Sequence, residues 1–232
     1  MTYCISDLHG CVDKYRLLLK KIALQPNDTL YVLGDCVDRG EHGIEILLDI
    51  AERENVVLLM GNHDYIADAL LSYLGRPLPD HVDKKTVDSM FHDWYRDGGG
   101  PTCREYRSLT KTERMKVHDL INNAKYHLEI TVGGKTFHLS HTLPPCRLWK
   151  QERKHAGGLS QLAYIEGEPE YESVYDESMT FVTGHVPTGL IDSASKGLIW
   201  KKNHHIAIDC GAVFGNPLGC ICLDTMEEIY ID

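Results

Sequence analysis

The first 65 residues of this 232-residue chain repeat one pattern three times. A short apolar run, at residues 3–6, 29–33 and 56–60, is followed each time by a polar loop and then by apolar residues at helical spacing. This pattern predicts three consecutive strand–loop–helix units and therefore an α/β fold with a βαβαβ start. In such units the strands are parallel and buried on both faces. We therefore expect the three loops to lie along one edge of the sheet, where ligands of open α/β sheets bind.

The remainder of the chain changes character twice. Residues 75–125 are charged, aromatic and broken by Pro and Gly, which predicts a helical insertion or cap. Gly133-Gly134 then separates two alternating segments, 128–132 and 135–139, as in a β-hairpin. Further strands are predicted at 180–183, 198–201, 205–209, 219–223 and 228–231. We interpret residues 1–232 as one domain, because the insertion is too short to bury a core of its own.

Composition excludes several classes of partner. The chain has 24 Lys and Arg against 34 Asp and Glu, a formal charge of −10, so a nucleic-acid partner is not expected. Its longest apolar runs fall far short of the ~18–20 residues that cross a bilayer, so no membrane partner is expected either. The N-terminus has no basic stretch before Asp7, unlike a signal peptide. We expect a cytoplasmic protein whose eight cysteines are reduced and assign them no function.

The three loops carry metal-binding side chains. They read Asp7-Leu-His9-Gly10, Gly34-Asp35-Cys-Val-Asp38-Arg39-Gly40 and Gly61-Asn62-His63-Asp64. Oxygen from Asp7 and nitrogen from His9 suit a divalent transition metal. Asp35 is the natural bridging ligand, because one carboxylate can hold two cations about 3.5–4 Å apart. The second cation would draw on the Asn62 carbonyl and on two histidines that follow later strands, His141 and His185.

These motifs resemble those of the calcineurin-like metallophosphoesterases, and within them the phosphoprotein phosphatase family. The Gly98-Gly99-Gly100 run and residues 208–215 are similar to its small bacterial and phage serine/threonine phosphatases. The resemblance implies an αββα sandwich with two divalent metal ions. Manganese is expected from the bacterial members, with iron and zinc as alternatives. It implies that the first ion is bound by Asp7, His9 and Asp35, and the second by Asp35, Asn62, His141 and His185.

The resemblance also assigns catalytic roles. His63 matches the proton donor to the leaving oxygen, Asp38 the carboxylate that orients this histidine, and Arg39 the phosphate clamp. A guanidinium can bind two phosphoryl oxygens at once, which a lysine cannot do with the same geometry. The family has a second phosphate-binding arginine between the last two metal histidines. Arg147 and Arg153 are the only arginines there, and neither lies in a matching motif.

The leading functional hypothesis is a metal-dependent phosphatase acting on phosphoserine or phosphothreonine in a protein. Its alternative is a symmetrical dinucleoside polyphosphate hydrolase acting on diadenosine tetraphosphate, a small nucleotide substrate. Both would use the same metal chemistry and differ in the walls of the pocket, expected from residues 75–125 and 144–178. A hypothesis of another class is a non-catalytic scaffold that binds metal or phosphate, since fold alone does not settle function.

Overall fold

The computed structural model describes residues 1–74, 82–152 and 159–232. The strands in this part of the chain are β1 (Thr2–Ile5), β2 (Thr29–Val32), β3 (Val56–Leu58), β4 (His127–Val132), β5 (Lys135–Ser140), β6 (Met179–Thr183), β7 (Trp200–Lys202), β8 (His205–Ala207), β9 (Leu218–Cys222) and β10 (Glu228–Ile231). Each lies within about two residues of a predicted strand, because apolar alternation and Gly turns mark strands well.

The helices connect and cover these strands. They are α1 (Val12–Ile22), α2 (Gly43–Ala51), α3 (Asn62–Leu71), α4 (Lys84–Trp94), α5 (Gly100–Ser108), α6 (Lys111–Asn123), α7 (Cys146–Glu152) and α8 (Thr188–Ile191). A π-helical turn, Tyr95–Gly99, joins α4 to α5, and 3₁₀ turns occur at Gln161–Tyr164, Ser193–Ser195 and Ala212–Phe214. None of the helices described is both long and apolar enough to cross a bilayer.

The strands form two five-stranded mixed sheets. The first has the order β10-β9-β1-β2-β3, with β1, β2 and β3 parallel as predicted. The second has the order β4-β5-β6-β8-β7, with β5, β6 and β8 parallel. The predicted hairpin is confirmed as the antiparallel pair β4–β5.

The two sheets pack face to face. Alternate residues of the first sheet face opposite ways: Cys4 and Leu33 pack between the sheets, whereas Ile5 and Val32 pack against the helices. Phe137 and Val182 come from the second sheet into the same inter-sheet core. Both faces of the parallel strands are thus buried, and the predicted α/β sandwich with a βαβαβ start is confirmed.

The predicted insertion is helical where it is described. Helices α4, α5 and α6 cover residues 84–123, and residues 75–81 lie outside the described part of the chain. Helix α4 packs on α3, and α5 and α6 pack on α2. The far face of the second sheet is covered by α7 and irregular chain, through aromatic residues such as Trp149, Tyr175 and Phe181.

Candidate active site

The predicted site residues converge where the parallel strands end. Both sheets contribute, since β1, β2 and β3 supply the first three loops and β5 and β6 the last two. The six predicted ligands follow those strands: Asp7 and His9 after β1, Asp35 after β2, Asn62 after β3, His141 after β5 and His185 after β6. Four of them, Asp7, His9, Asp35 and His141, are almost fully buried.

Asp35 belongs to two clusters of potential metal ligands. One contains His9, Asp35 and His63, the other Asp35, His141 and His185, and within each the ligand atoms lie within 4.8 Å of one another. The Asp35 Oδ2 atom lies 3.6 Å from His9 Nε2 and 3.4 Å from His141 Nε2. One carboxylate therefore faces both clusters, as a bridging ligand must.

Asn62 joins the second cluster through its side-chain oxygen. Its Oδ1 lies 2.9 Å from His141 Nε2 and 3.1 Å from His185 Nδ1, and these two nitrogens are 3.1 Å apart. The other His141 nitrogen donates to the Leu33 carbonyl at 2.7 Å. In the neutral imidazole, Nε2 then carries a lone pair that faces another acceptor, an arrangement that a cation between them would stabilise.

The electrostatics of this cluster favour positive charge. Burial alone would lower the pKa of His141, but the charge and hydrogen bond of Asp35 and the charge of Asp7 outweigh it and raise this pKa to about 10. The same histidine, together with burial, lowers the pKa of His185 to about 4. A single site that attracts a proton this strongly also attracts a divalent cation. The donor set of carboxylate, imidazole and amide therefore fits the expected metals.

The His9 side chain is oriented for ligation by its outer nitrogen. Its Nδ1 donates to the Val37 carbonyl at 2.8 Å, and burial lowers its pKa, so Nε2 is left with a lone pair. The Arg39 guanidinium donates to this atom at 2.6 Å and to His63 Nε2 at 2.9 Å. A cation bound by His9 needs that lone pair, so Arg39 must turn away from His9 when the cation binds; its side chain is 31% exposed.

Asp7 is hydrogen bonded to the loop that follows β6. Its Oδ2 accepts a hydrogen bond from the backbone N–H of His185 at 2.9 Å, and it lies outside both three-residue clusters. The first cluster contains His63 instead, whose ring meets that of His9 edge-on at 4.8 Å between centroids. The assignment of Asp7 as a ligand stays a prediction.

Two glycines allow the carboxylates to come this close. A Cβ atom on Gly61 would lie 2.2 Å from Asp35 Oδ1, and one on Gly184 would lie 2.2 Å from Asp7 Oδ2. Any side chain at either position would displace a carboxylate of the site.

His63 and Asp38 form a buried pair beside the first cluster. The Nδ1–H of His63 donates to Asp38 Oδ2 at 2.8 Å, and Asp38 is fully buried. Burial lowers the pKa of His63, but the bond to Asp38 and the charges of Asp35 and Asp38 outweigh it, so the pKa is raised above its ordinary value. A histidine held in one orientation by a carboxylate that raises its pKa can act as a general acid.

The helical insertion donates two hydrogen bonds to the Asp38 carboxylate of this pair. Trp94 Nε1 donates to Asp38 Oδ2 at 2.7 Å, and Thr102 Oγ1 donates to Asp38 Oδ1 at 2.6 Å. Asp97 lies 3.6 Å from both Arg39 Nη2 and His63 Nε2. The sequence predicts no role for Trp94, Asp97 or Thr102. The Gly98-Gly99-Gly100 run, which lies between them, is the one feature of this segment that resembles the family.

Asp64, the last residue of the third motif, holds the second loop. Its carboxylate accepts the backbone N–H groups of Asp35, Cys36 and Val37 at 2.8, 3.0 and 3.3 Å. Burial and the charge of Asp35 raise the pKa of Asp64. These three hydrogen bonds indicate that Asp64 stabilises the loop that follows β2.

The candidate residues adopt unusual backbone conformations. Left-handed φ values, which few non-glycine residues adopt, occur at Asp7 (+52°), His9 (+40°), Asp35 (+56°), Asp38 (+69°), Arg39 (+67°) and His185 (+69°). Each costs on the order of 1–3 kcal/mol and persists only where the surroundings impose it, as at functional sites.

The structure assigns no second phosphate-binding arginine among the described residues. Arg147 is exposed on α7, and within the described residues no hydrogen bond or ion pair joins it to the site. Arg153 lies outside the described residues.

Comparison with known proteins defines the class to which this fold and site belong. The family model for calcineurin-like phosphoesterases matches residues 2–189 of the chain. The chain therefore belongs to the calcineurin-like phosphoesterase family, and it is a metallophosphoesterase, as the resemblance implied.

Curated relatives share shorter segments. The chain is 45% identical over 65 residues to a symmetrical bis(5'-nucleosyl)-tetraphosphatase of Haemophilus ducreyi, covering 27% of this chain and 24% of that protein. It is 31% identical over 122 residues to the protein of the same name from Delftia acidovorans, covering 50% and 43%. The matches thus span about a quarter to less than half of these relatives.

Solved structures share the fold over the full length. A putative diadenosine tetraphosphatase superimposes with a TM-score of 0.65 at 16% identity, covering 99% of this chain and 92% of the other. A protein serine/threonine phosphatase of Saccharomyces cerevisiae superimposes with a TM-score of 0.51 at 14% identity, covering 99% and 78%. At these identities the likeness establishes the fold alone.

Proposed function

We propose that this metallophosphoesterase hydrolyses dinucleoside polyphosphates, with symmetrical cleavage of diadenosine tetraphosphate as its reaction. The observation that carries the catalytic part is that Asp35 faces both ligand clusters. The names of the curated relatives support the substrate. The comparisons thus favour the alternative of the sequence hypothesis over its leading form, a phosphoprotein phosphatase.

The proposed ligands are His9 and Asp35, with Asp7, for one divalent ion, and Asp35, Asn62, His141 and His185 for the other. When bound, such a pair of ions activates a water for attack on phosphorus and neutralises charge on the phosphoryl oxygens. Manganese is the proposed metal, with iron or zinc as alternatives, because a set of carboxylate, imidazole and amide without thiolate accepts all three.

The remaining roles fall to the side chains next to the clusters. Arg39 can turn from His9 and His63 to bind two phosphoryl oxygens with its paired donors. His63 would donate its proton to the oxygen that leaves as the P–O–P bridge breaks. Asp38 keeps the imidazole in the tautomer with hydrogen on Nδ1 until protonation places a second hydrogen on Nε2.

The substrate is tested by product analysis. Manganese-loaded protein is given diadenosine tetraphosphate or a phosphothreonine peptide, and nucleotides and free phosphate are measured. We expect ADP as the nucleotide product and little phosphate from the peptide. Release of phosphate from the peptide without ADP from the dinucleotide would overturn the proposed substrate, and AMP with ATP would overturn symmetrical cleavage.

The role of His63 is tested separately, because its ring also lies in the first ligand cluster. In His63→Ala we expect kcat to fall by about 10²–10⁴ with the metal content unchanged, as for loss of a general acid. Loss of one metal ion would assign His63 to the metal instead, and an unaffected rate would remove it from the reaction. His42→Ala is the matched control, since the His42 side chain is 55% exposed.

A further inference from the structure

A second concave surface lies beside the ligand clusters and is not used by any role above. It is a cavity of about 430 Å³ between the loop that follows β6 and the 3₁₀ turn Ala212–Phe214. Pro187, Leu190 and Phe214 form its apolar walls, and Lys196 and Asn216 its polar rim. This size lies within the range of about 300–1,000 Å³ typical of small-molecule sites.

Two large apolar side chains in the walls of this cavity are exposed to solvent. Leu190 is 79% exposed and Phe214 is 62% exposed. Phe214 ends a 3₁₀ turn flanked by Gly211 and Gly215, both with positive φ, and this geometry keeps the ring at the surface. An aromatic ring with a free face is a platform on which a nucleobase stacks, whatever its sequence context.

The cavity is connected to the candidate site on two sides. The Arg39 guanidinium lies 5.8 Å from the centre of the Phe214 ring. Pro187 follows the candidate ligand His185 by two residues. A ligand with one phosphate at Arg39 would therefore have its next groups directed into this cavity.

The polar rim matches a nucleotide in charge and hydrogen bonding. Lys196 is exposed, and its ammonium has no carboxylate partner in the described part of the chain, so it is available to phosphate. Asn216 uses its amide nitrogen towards the Gly211 carbonyl at 3.3 Å, which leaves its side-chain oxygen to accept from an exocyclic amino group.

We propose that this cavity is a nucleoside subsite, in which one nucleobase of the substrate stacks on Phe214 and contacts Leu190 while Lys196 binds its phosphate chain. The proposal rests on the proposed function and deepens it, because it assigns the residues that would distinguish a dinucleotide from a phosphoester without a base.

The test compares substrates with and without a base. For Phe214→Ala we expect kcat/KM for diadenosine tetraphosphate to fall about 5- to 150-fold, the equivalent of about 1–3 kcal/mol of lost stacking, chiefly through KM. Turnover of inorganic tripolyphosphate, which has the same P–O–P bond and no base, should change less than about twofold. Phe214→Tyr keeps the ring and should restore the dinucleotide rate.

Binding supplies a readout independent of turnover. Calorimetry should show that AMP binds Phe214→Ala more weakly than the unmodified protein, whereas inorganic phosphate binds both alike. Met115→Ala on α6 is the matched control, since Met115 is 55% exposed and lies outside the cavity.

The outcomes separate the two proposals. Equal losses on both substrates, or unchanged AMP binding in Phe214→Ala, would overturn the nucleoside subsite while ADP formation by the unmodified protein upholds the function. No ADP from the unmodified protein would overturn the function; if Phe214→Ala then slows a phosphopeptide instead, the cavity holds a peptide side chain and the subsite is wrong as well.

Discussion

Replacing Asp38 with asparagine tests whether the charge of this residue tunes His63. Asp38 is fully buried and accepts hydrogen bonds from His63, Trp94 and Thr102. Asparagine can keep its carbonyl oxygen towards His63 and Trp94, and its amide can donate to the Thr102 hydroxyl, which has a free lone pair. The variant Asp38→Asn therefore preserves the shape of the pair and removes its negative charge.

The size of the effect follows from that one bond. A hydrogen bond to a charged group contributes about 1.5–3 kcal/mol and a neutral one about 0.5–1.5, so the protonated imidazole loses about 1–2 kcal/mol. Since 1.36 kcal/mol corresponds to one unit, the pKa of His63 should fall by about one unit in Asp38→Asn. In the variant, the effect of burial, which lowers the pKa of His63, is no longer offset by the charge of Asp38.

The assay is a pH profile of kcat with two leaving groups. A general acid works only when protonated, so the rate declines above the pKa of His63, and in Asp38→Asn this decline should begin about one unit lower, with a rate about tenfold lower on the alkaline side. The two substrates are phenyl phosphate and p-nitrophenyl phosphate; the loss should be smaller for p-nitrophenyl phosphate, because its less basic leaving group needs little protonation. Asp93→Asn is the control: its carboxylate is 72% exposed and its ion-pair partner is His92, so removing its charge should hardly move the profile.

An unchanged profile in Asp38→Asn, or the same loss for both leaving groups, would refute the assignment of His63 as the acid and Asp38 as its partner. A loss of bound metal in this variant would show that Asp38 acts through the metal site instead.

Two further predictions concern the supports of the site. Gly184→Ala places a methyl group 2.2 Å from Asp7 Oδ2, so we expect about 1–3 kcal/mol of overpacking and weaker metal binding, measured by thermal unfolding and metal titration; unchanged metal affinity would contradict the proposed position of Asp7 at the centre. Burial lowers the pKa of His205 to about 3 in the folded protein, whereas its ordinary value is about 6.5. Between these two pH values the unfolded state binds one more proton than the folded state. The free energy of unfolding should therefore fall by about 1.4 kcal/mol for each unit by which the pH is lowered from about 6.5 to about 3. His205→Gln should remove that slope in chelator-treated protein, as followed by urea unfolding at successive pH values, and an identical slope would contradict it.

Much of the fold could be predicted because its signals are local. Buried parallel strands give unbroken apolar runs, and the loops that follow them carry Gly where the chain must turn. The same logic placed Asp35, His141 and His185 at one edge, since the ends of parallel strands meet there. The structure brings these three together in one cluster.

The parts that could not be predicted depend on long-range contacts. Trp94 and Thr102 reach Asp38 from 56 and 64 residues further along the chain, and no spacing rule connects them. The left-handed backbone at Asp35 is likewise imposed by its surroundings, among them the Asp64 carboxylate, and not by a preference of aspartate. The cavity beside Phe214 arises where separate segments meet, so no local sequence pattern marks it.

The shared carboxylate of Asp35 is the central claim, and manganese loading tests it most directly. Elemental analysis with electron paramagnetic resonance of the reconstituted protein should give about two manganese ions per chain with an exchange-coupled spectrum, as expected for ions about 3.5–4 Å apart. In Asp35→Asn the coupling should disappear and the stoichiometry should fall. One uncoupled manganese per chain at saturation in the unmodified protein would contradict the account.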